Sequence, residues 1–470
     1  MKAQSTGKYN KGFATLEILI AFAVLILSIS AVILLVFGNQ SIIIDSQTNS
    51  EALYKAQKML EEARAASKFD FNLVNPIPNT ADDIYTKNLA VSMVDFFTKN
   101  VTSNITWKVD GGRDQTISLY TLITNPDAIN GGDTCNSVLG GDWAHPKLLG
   151  DVDVGQNNGA TDVDVFMGKA YVTTDPSSVP KEDFHVIDVG NPNASPLPIL
   201  KSINTGPGLV AVQVAGRYAY AANTSINGQL QVINISNASN PVLATTTKLL
   251  NVTGSGTQAL GNSIFYADSK VYLGLTKTAT GPEFNIIDVS NPLIPKWKGG
   301  YSVGHDINAI FVRGIFAYIA SPDNRELIVL NISDPTNPTL VGSLDLTDNS
   351  ANGKSIAMVG NTLFLGRTIG SSPSTKEFQL INITNPINPI TLNSANVNST
   401  INAITIRDNL AFIITNDSNL GFQIWDLNTM TLYASKNVQQ TSTGGMDCEG
   451  NVIYIAQRSN KALQIIGPGP

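Results

Sequence analysis

The chain has 470 residues, 43% hydrophobic and 14% charged, a length that suits two or three folded units. Its formal net charge of −7 and the lack of any Lys/Arg block exclude tight nucleic-acid binding, which needs clustered cations against phosphates. Two cysteines, Cys135 and Cys448, and three scattered histidines, His145, His185 and His305, offer no zinc-ligand spacing; one long-range disulfide is open to them outside a reducing compartment.

The first twelve residues are polar and carry Lys2, Lys8 and Lys11. From Phe13 to Phe37 the chain is almost wholly apolar, which at ~1.5 Å per residue predicts roughly 37 Å of helix, long enough to cross a bilayer. Lysines ahead of the run put the leader on the cytoplasmic side and the rest outside. Ala52, Ala56, Met59, Leu60 and Ala63 recur at helical spacing, so the helix is expected to continue to about residue 67. Glu17 is the discordant residue, because a carboxylate inside an apolar run needs a partner.

The segment Lys11-Gly12-Phe13-Ala14-Thr15-Leu16-Glu17 resembles a type IV prepilin processing site. The resemblance implies cleavage after Gly12 by a prepilin peptidase and N-methylation of Phe13. It also implies that Glu17 is the assembly glutamate, paired with the free amine of a neighbouring subunit. An ordinary signal anchor is the alternative for the same residues. Downstream, a hairpin is predicted with strands Val101–Lys108 and Thr116–Ile123 around an Asp110-Gly111-Gly112 turn. It is similar to the small sheet of PilV-like minor pilins and type II secretion pseudopilins.

The remainder repeats. FHVIDVGNP at Phe184, LQVINISNAS at Leu230, FNIIDVSNP at Phe284, LIVLNISDP at Leu327, FQLINITNP at Phe378, FQIWDLN at Phe422 and LQIIGPG at Leu463 recur every ~40–55 residues. Each but the last sets a polar residue at the end of its strand: Asp188, Asn234, Asp288, Asn331, Asn382 and Asp426. These side chains are expected to hydrogen-bond their own backbone, a structural role. A second apolar strand precedes each unit, centred on Tyr171, Tyr220, Tyr272, Tyr318, Phe364, Phe412 and Tyr454, and reads as blade packing. With four strands per unit the pattern predicts a seven-bladed β-propeller, a parallel solenoid being the competing architecture. The units resemble LVIVD-type repeats.

The last unit lacks a fourth strand, and residues 146–155 (PKLLGDVDVG) match that pattern, so they are expected to close the ring. Closure brings Cys135 and Cys448 into one neighbourhood and predicts a disulfide at the junction, two unpaired buried thiols being the alternative. The domains are then a leader over 1–12, a transmembrane and assembly helix over 13–67, a small pilin-like β-region over 68–134 and the propeller over 135–470. The fold class is mainly β with a long N-terminal α-helix: a pilin-like α+β stalk followed by the propeller.

No catalytic motif, P-loop or Cys/His pair at catalytic spacing occurs, so no enzyme activity and no cofactor are expected. Asp151, Asp153, Asp162 and Asp164 raise a calcium site, but the EF-type Gly and Glu are missing and no metal is expected. Sequons at Asn234, Asn251, Asn331 and Asn382 follow from the repeat's composition. The expected function is that of a minor type IV pilin at a fibre tip, displaying the propeller for adhesion or ligand recognition. The expected partners are other pilin subunits through the helix, the prepilin peptidase, the membrane before assembly, and a surface protein or glycan. The expected location is the inner membrane as a single-pass protein, then the extracellular pilus. A secretion or uptake pseudopilin that engages cargo is the alternative, and an enzyme on a propeller scaffold is the third class.

Overall fold

The computed structural model describes residues 13–69, 74–95, 98–109, 112–124, 135, 139–155, 158–175, 181–322, 325–346, 350–438 and 443–470. The chain divides into two compact units, residues 1–126 and 127–470.

In the first unit, helix α1 (Phe13–Phe69) precedes a sheet of β1 (Ile77–Asp82), β2 (Tyr85–Asp95), β3 (Thr98–Val109) and β4 (Arg113–Thr124). The strands pair antiparallel in sequence order. The helix buries Ala52, Ala56, Met59, Leu60 and Ala63, whose i, i+4 and i+7 spacing forms one stripe. Against it the sheet returns alternate residues, Tyr85, Leu89, Val101, Ile105, Trp107 and Ile123. The Tyr85 hydroxyl donates to the Thr48 carbonyl at 3.1 Å, and Lys55 pairs with Asp82 at 3.1 Å. β3 and β4 contain the two hairpin strands read from the sequence. Asp110 and Gly111 of the turn lie outside the described residues, as does Gly12.

Among the described residues no helix is long and apolar enough to cross a membrane. The single-pass inner-membrane location is therefore corrected. So is the fold class, insofar as it rested on a membrane-inserted stalk: the described structure is dominated by β-sheet, in eight four-stranded sheets.

Seven of those sheets form the second unit, a β-propeller-like ring. The first blade is β6 (Ala160–Phe166), β7 (Lys169–Thr174), β8 (Phe184–Asp188) and β9 (Ile199–Ile203). The second is β10 (Leu209–Ala215), β11 (Tyr218–Asn223), β12 (Leu230–Asn234) and β13 (Val242–Thr247). β14 (Gly261–Ala267), β15 (Lys270–Leu275), β16 (Phe284–Asp288) and β17 (Lys296–Tyr301) make the third. β18 (Ala309–Arg313), β19 (Phe316–Ala320), β20 (Leu327–Asn331) and β21 (Thr339–Leu344) make the fourth. The fifth comprises β22 (Gly353–Val359), β23 (Thr362–Arg367), β24 (Phe378–Asn382) and β25 (Ile390–Ala395). The sixth comprises β26 (Ile401–Arg407), β27 (Leu410–Thr415), β28 (Phe422–Asp426) and β29 (Thr431–Lys436). The seventh joins β30 (Thr443–Glu449), β31 (Val452–Gln457) and β32 (Leu463–Gly469) to β5 (Asp142–Val152), which enters from the other end of the chain.

The first strand of each blade contacts the first strand of the next, and β30 contacts β6, so the inner strands close a ring. Inner-strand side chains stitch the seams. Asp162 and Asp164 accept the Val212 and Val214 N–H groups at 2.9 and 2.8 Å, and Asp447 accepts that of Val165 at 2.5 Å. Ser263 and Ser355 donate to the Ile307 and Ile401 carbonyls at 2.9 and 3.0 Å. At the seventh seam the approach is closest: a Cβ on Gly444 would stand 2.1 Å from the Thr161 carbonyl oxygen, so only glycine fits there.

The second and third strands of every blade are buried on both faces, which is why they read as continuous apolar runs. Within four blades the aromatic of the second strand stacks on that of the third: Tyr171 on Phe184, Tyr272 on Phe284, Phe364 on Phe378 and Phe412 on Phe422. The closing pair runs antiparallel from Leu463 opposite Val152 to Gly469 opposite Asp142, so the closing strand sits slightly N-terminal of 146–155. Cys135 and Cys448 are joined in a disulfide with a Cα–Cα distance of 5.3 Å, set in a core with Trp143, Phe412 and Ile466.

Candidate functional site

Antiparallel blades give the ring two faces. One carries the links between first and second strands and between third and fourth. The first kind are two-residue hairpins with a left-handed residue at Met167, Gly216, Asp268, Gly314, Gly360, Asp408 and Gly450. The second kind carry the repeat's polar residues. Asp188 Oδ1 accepts the Gly190 N–H at 3.0 Å, Asn234 that of Ser236 at 3.0 Å, and Asp288 that of Ser290 at 3.0 Å. Asn331 accepts from Ser333 at 2.8 Å, Asn382 from Thr384 at 2.8 Å, and Asp426 from Asn428 at 2.7 Å. Three residues on, Asn191, Asn237, Asn291, Asp334 and Asn385 repeat the bond, so five blades carry a double Asx turn. Donors at the carboxylates hold Asp188 and Asp288 below the usual range: first the Gly190 N–H for Asp188, and first Ser290 for Asp288.

The other face carries the loops between blades and between second and third strands, and these differ from blade to blade. Residues 204–208 make a tight link where 248–260 make a long one. The long link is pinned by Thr253, whose N–H donates to the Thr280 carbonyl at 2.9 Å, and by buried Leu249 and Val252. Leu250 between them is 89% exposed, and Ile226, Ile369 and Leu420 also stand exposed on loops of this face.

Beneath these loops lies a ring of buried polar groups that the sequence reading missed. Asp183, Gln229, Glu283, Glu326 and Glu377 each precede the first residue of a third strand and are almost fully buried. Each accepts the backbone N–H that follows its own outer strand: Thr205, Leu249, Val303, Leu346 and Val397 respectively. Burial pushes the Asp183 carboxyl up to about 6, against the Thr205 donors. Glu326 forms a fully buried ion pair with Arg367 at 2.8 Å. The available signal was the acid or amide immediately before the apolar third-strand motif.

The other sequence candidates disperse. Phe13 and Glu17 lie in α1, Phe13 as its first residue. Asp151 pairs with Lys461 at 2.6 Å, Asp153 caps the Gly155 N–H at 2.8 Å, and Asp162 and Asp164 bond the next blade, so the four acids do not share a ligand. Cys135, Asp447 and Cys448 cluster, but the two sulfurs are bonded to each other and unavailable to a metal. His145 sits on β5 against Asp142 at 2.6 Å, and His185 is buried on β8, its pKa pushed down to about 4 by desolvation. His305 lies in the link before β18. Asn251 lies exposed in the long link, whereas Asn234, Asn331 and Asn382 are engaged in their turns.

No curated protein matches this chain. Among solved structures, the computationally designed Ika8 protein is 11% identical, with 68% of this chain and 99% of that one covered and a TM-score of 0.48. The LVIVD repeat family matches residues 210–248, 279–303 and 306–346, in the second, third and fourth blades. The chain therefore carries LVIVD repeats within a β-propeller-like repeat domain.

Proposed function

We propose that this protein is a recognition subunit of a pilin-type assembly: a minor type IV pilin that presents its propeller for adhesion or ligand binding. The observation that carries the reading is the uncovered helix. Ile18, Leu19, Ile20, Phe22, Val24, Leu25, Ile26, Leu27, Ile29, Val32, Ile33 and Leu35 are all large, apolar and exposed. An apolar surface on every side of a helix is stable only when other elements cover it, and helices of neighbouring subunits do so in a packed fibre. The prepilin-like segment from Lys11 to Glu17 supports the same partner, with Glu17 pairing the amine of Phe13 in an adjoining subunit. A disulfide between the only cysteines suits folding in an oxidising compartment.

The propeller supplies the binding half of the proposal. Rigid blades hold unequal loops on one face, with exposed apolar tips at Ile226, Leu250, Ile369 and Leu420, and such loops suit recognition of a protein or glycan. Prepilin peptidase and other pilin subunits are the assembly partners in this reading. Sheared fibres from cells producing the wild type and Glu17→Ala test it, probed with antibody against residues 161–470 and imaged with immunogold. Wild-type label at fibre ends, lost in E17A while total protein is unchanged, supports the reading. Label absent from fibres in both, or equal in both, overturns it.

A further inference from the structure

The sequence holds three Asn-Gly steps, at Asn130, Asn227 and Asn352, of which the first lies outside the described residues. Such a step is chemically exposed, because glycine has no side chain to shield its backbone nitrogen from the carboxamide carbon of the asparagine before it. Whether the two meet depends on how firmly the fold holds them.

The two described steps are held very differently. Asn352 and Gly353 lead into the inner strand of the fifth blade and are fastened at both backbone groups of each residue. The Asn352 N–H donates to Thr368 Oγ1 at 2.8 Å, and its carbonyl accepts the Thr368 N–H at 2.8 Å. The Gly353 N–H donates to the Ser321 carbonyl at 3.2 Å, and the Gly353 carbonyl accepts from the Asn308 amide at 2.7 Å. Asn227 stands instead at a loop tip, exposed beside Ile226 in the turn from Ser225 to Gly228 between β11 and β12. Its N–H reaches Ser225 Oγ at 3.2 Å, and the Gly228 N–H donates to the Ser225 carbonyl at 3.2 Å. Opening one long turn bond at an exposed tip costs far less than opening the start of an inner strand. The turn also requires its glycine, since a Cβ on Gly228 would stand 2.2 Å from Thr246 Cγ2.

A second observation points to the same atom. Lys248, exposed in the link to the third blade, donates from Nζ to Asn227 Oδ1 at 3.4 Å. A cation on the carboxamide oxygen draws electrons from its carbon and opens that carbon to attack.

We propose that Asn227 is a site of spontaneous deamidation, activated by Lys248, which turns this loop tip of the second blade into a carboxylate. The Gly228 nitrogen bonds to the Asn227 side-chain carbon and gives its proton to solvent. The carbon–nitrogen bond of the carboxamide breaks, and the amine takes a proton and leaves as ammonia. Water then opens the five-membered imide at either carbonyl, giving aspartate or isoaspartate at position 227. Each product sets a negative charge beside the Lys248 ammonium, on the loop that carries exposed Ile226. The modification is independent of what the propeller recognises.

The test ages the full-length protein at pH 7.5 and 37 °C, folded and in urea, as wild type, Lys248→Met and Lys248→Arg. Peptide mass spectrometry follows each Asn-Gly step, where deamidation adds about 1 Da. In the folded wild type the Asn227 peptide is expected to convert at least tenfold faster than the Asn352 peptide, and in urea the two should convert alike. K248M is expected to slow Asn227 about threefold in the folded protein only, and K248R to keep the rate; the Asn352 peptide of each sample is the reference for an intact fold. Conversion at Asn227 no faster than at Asn352 in the folded protein overturns the site. A rate at Asn227 that K248M leaves unchanged overturns the role of Lys248.

Discussion

The two faces of the ring are built on opposite principles. On the turn face one solution recurs: an Asx residue at the end of the third strand bonds the N–H two residues on, and in five blades a second does so three residues later. On the loop face the links between blades vary in length, from 204–208 to 248–260. Uniformity on one side fixes blade geometry cheaply, leaving the other side able to vary without disturbing it. The buried acids are the joint between these regimes, since each ties a loop to the recurring frame of its own blade.

Breaking the loop face at its most buried point should produce the largest effect. Glu326→Ala strands the Arg367 guanidinium in the interior and is expected to cost about 3–5 kcal/mol in urea unfolding. A cost below about 1 kcal/mol would mean that the acids only decorate the loops. Replacing both Cys135 and Cys448 by Ala releases the ring closure and should cost about 2–5 kcal/mol, with a lowered thermal midpoint. On the turn face the effects should be smaller and interchangeable. Asn331→Ala loses one turn bond for about 1 kcal/mol, whereas Asn331→Asp or Asp288→Asn, which keep an acceptor, should shift the midpoint little.

The last effect is a change of pH profile rather than of stability at one pH. Because burial raises Asp183 to about 6 in the folded state, the folded protein holds a proton between about pH 4 and 6 that the unfolded chain has released. Its contribution therefore falls as pH rises through that window and is constant above it. Asp183→Asn should flatten this part of the stability curve, measured by urea unfolding at pH 4.5 and 7. An unchanged slope would show that Asp183 is ionised in the fold.

The turn face was legible because its chemistry repeats. The apolar third strand, its terminal Asp or Asn and the aromatic of the second strand recur often enough that seven strand pairs stand out, and they are the strands buried on both faces. The first and fourth strands were fainter. The first carries the seam-bonding polar residues, such as Asp162, Asp164 and Gln213, and the fourth is largely exposed, so neither keeps an apolar pattern. The one-residue bulges at the start of the first strands could not be read at all, since the inserted residues, Thr161, Val210, Asn262, Lys354 and Asn402, share a place and no sequence pattern. The second Asx residue stands in NPNAS, SNASN and SDPTN, where a single turn residue already accounts for each turn. In the first unit the apolar run from Phe13 was read as a membrane span. Among the described residues no helix is long and apolar enough to cross a membrane, and the exposed run from Ile18 to Leu35 is left as a surface that needs cover.

The position of the disulfide decides how the ring would carry a load. Tension arriving from the N-terminal side reaches Cys135 before it reaches β5, and passes through a covalent bond into β30, an inner strand of the same blade. Without that bond the pull would fall on β5 itself, an outer strand held along its length by hydrogen bonds to β32. Strands peeled from an end open one bond at a time. The bridge turns that unzipping into a demand on the seventh blade as a whole, so the ring would be expected to stay shut under a pull that would otherwise strip β5 away.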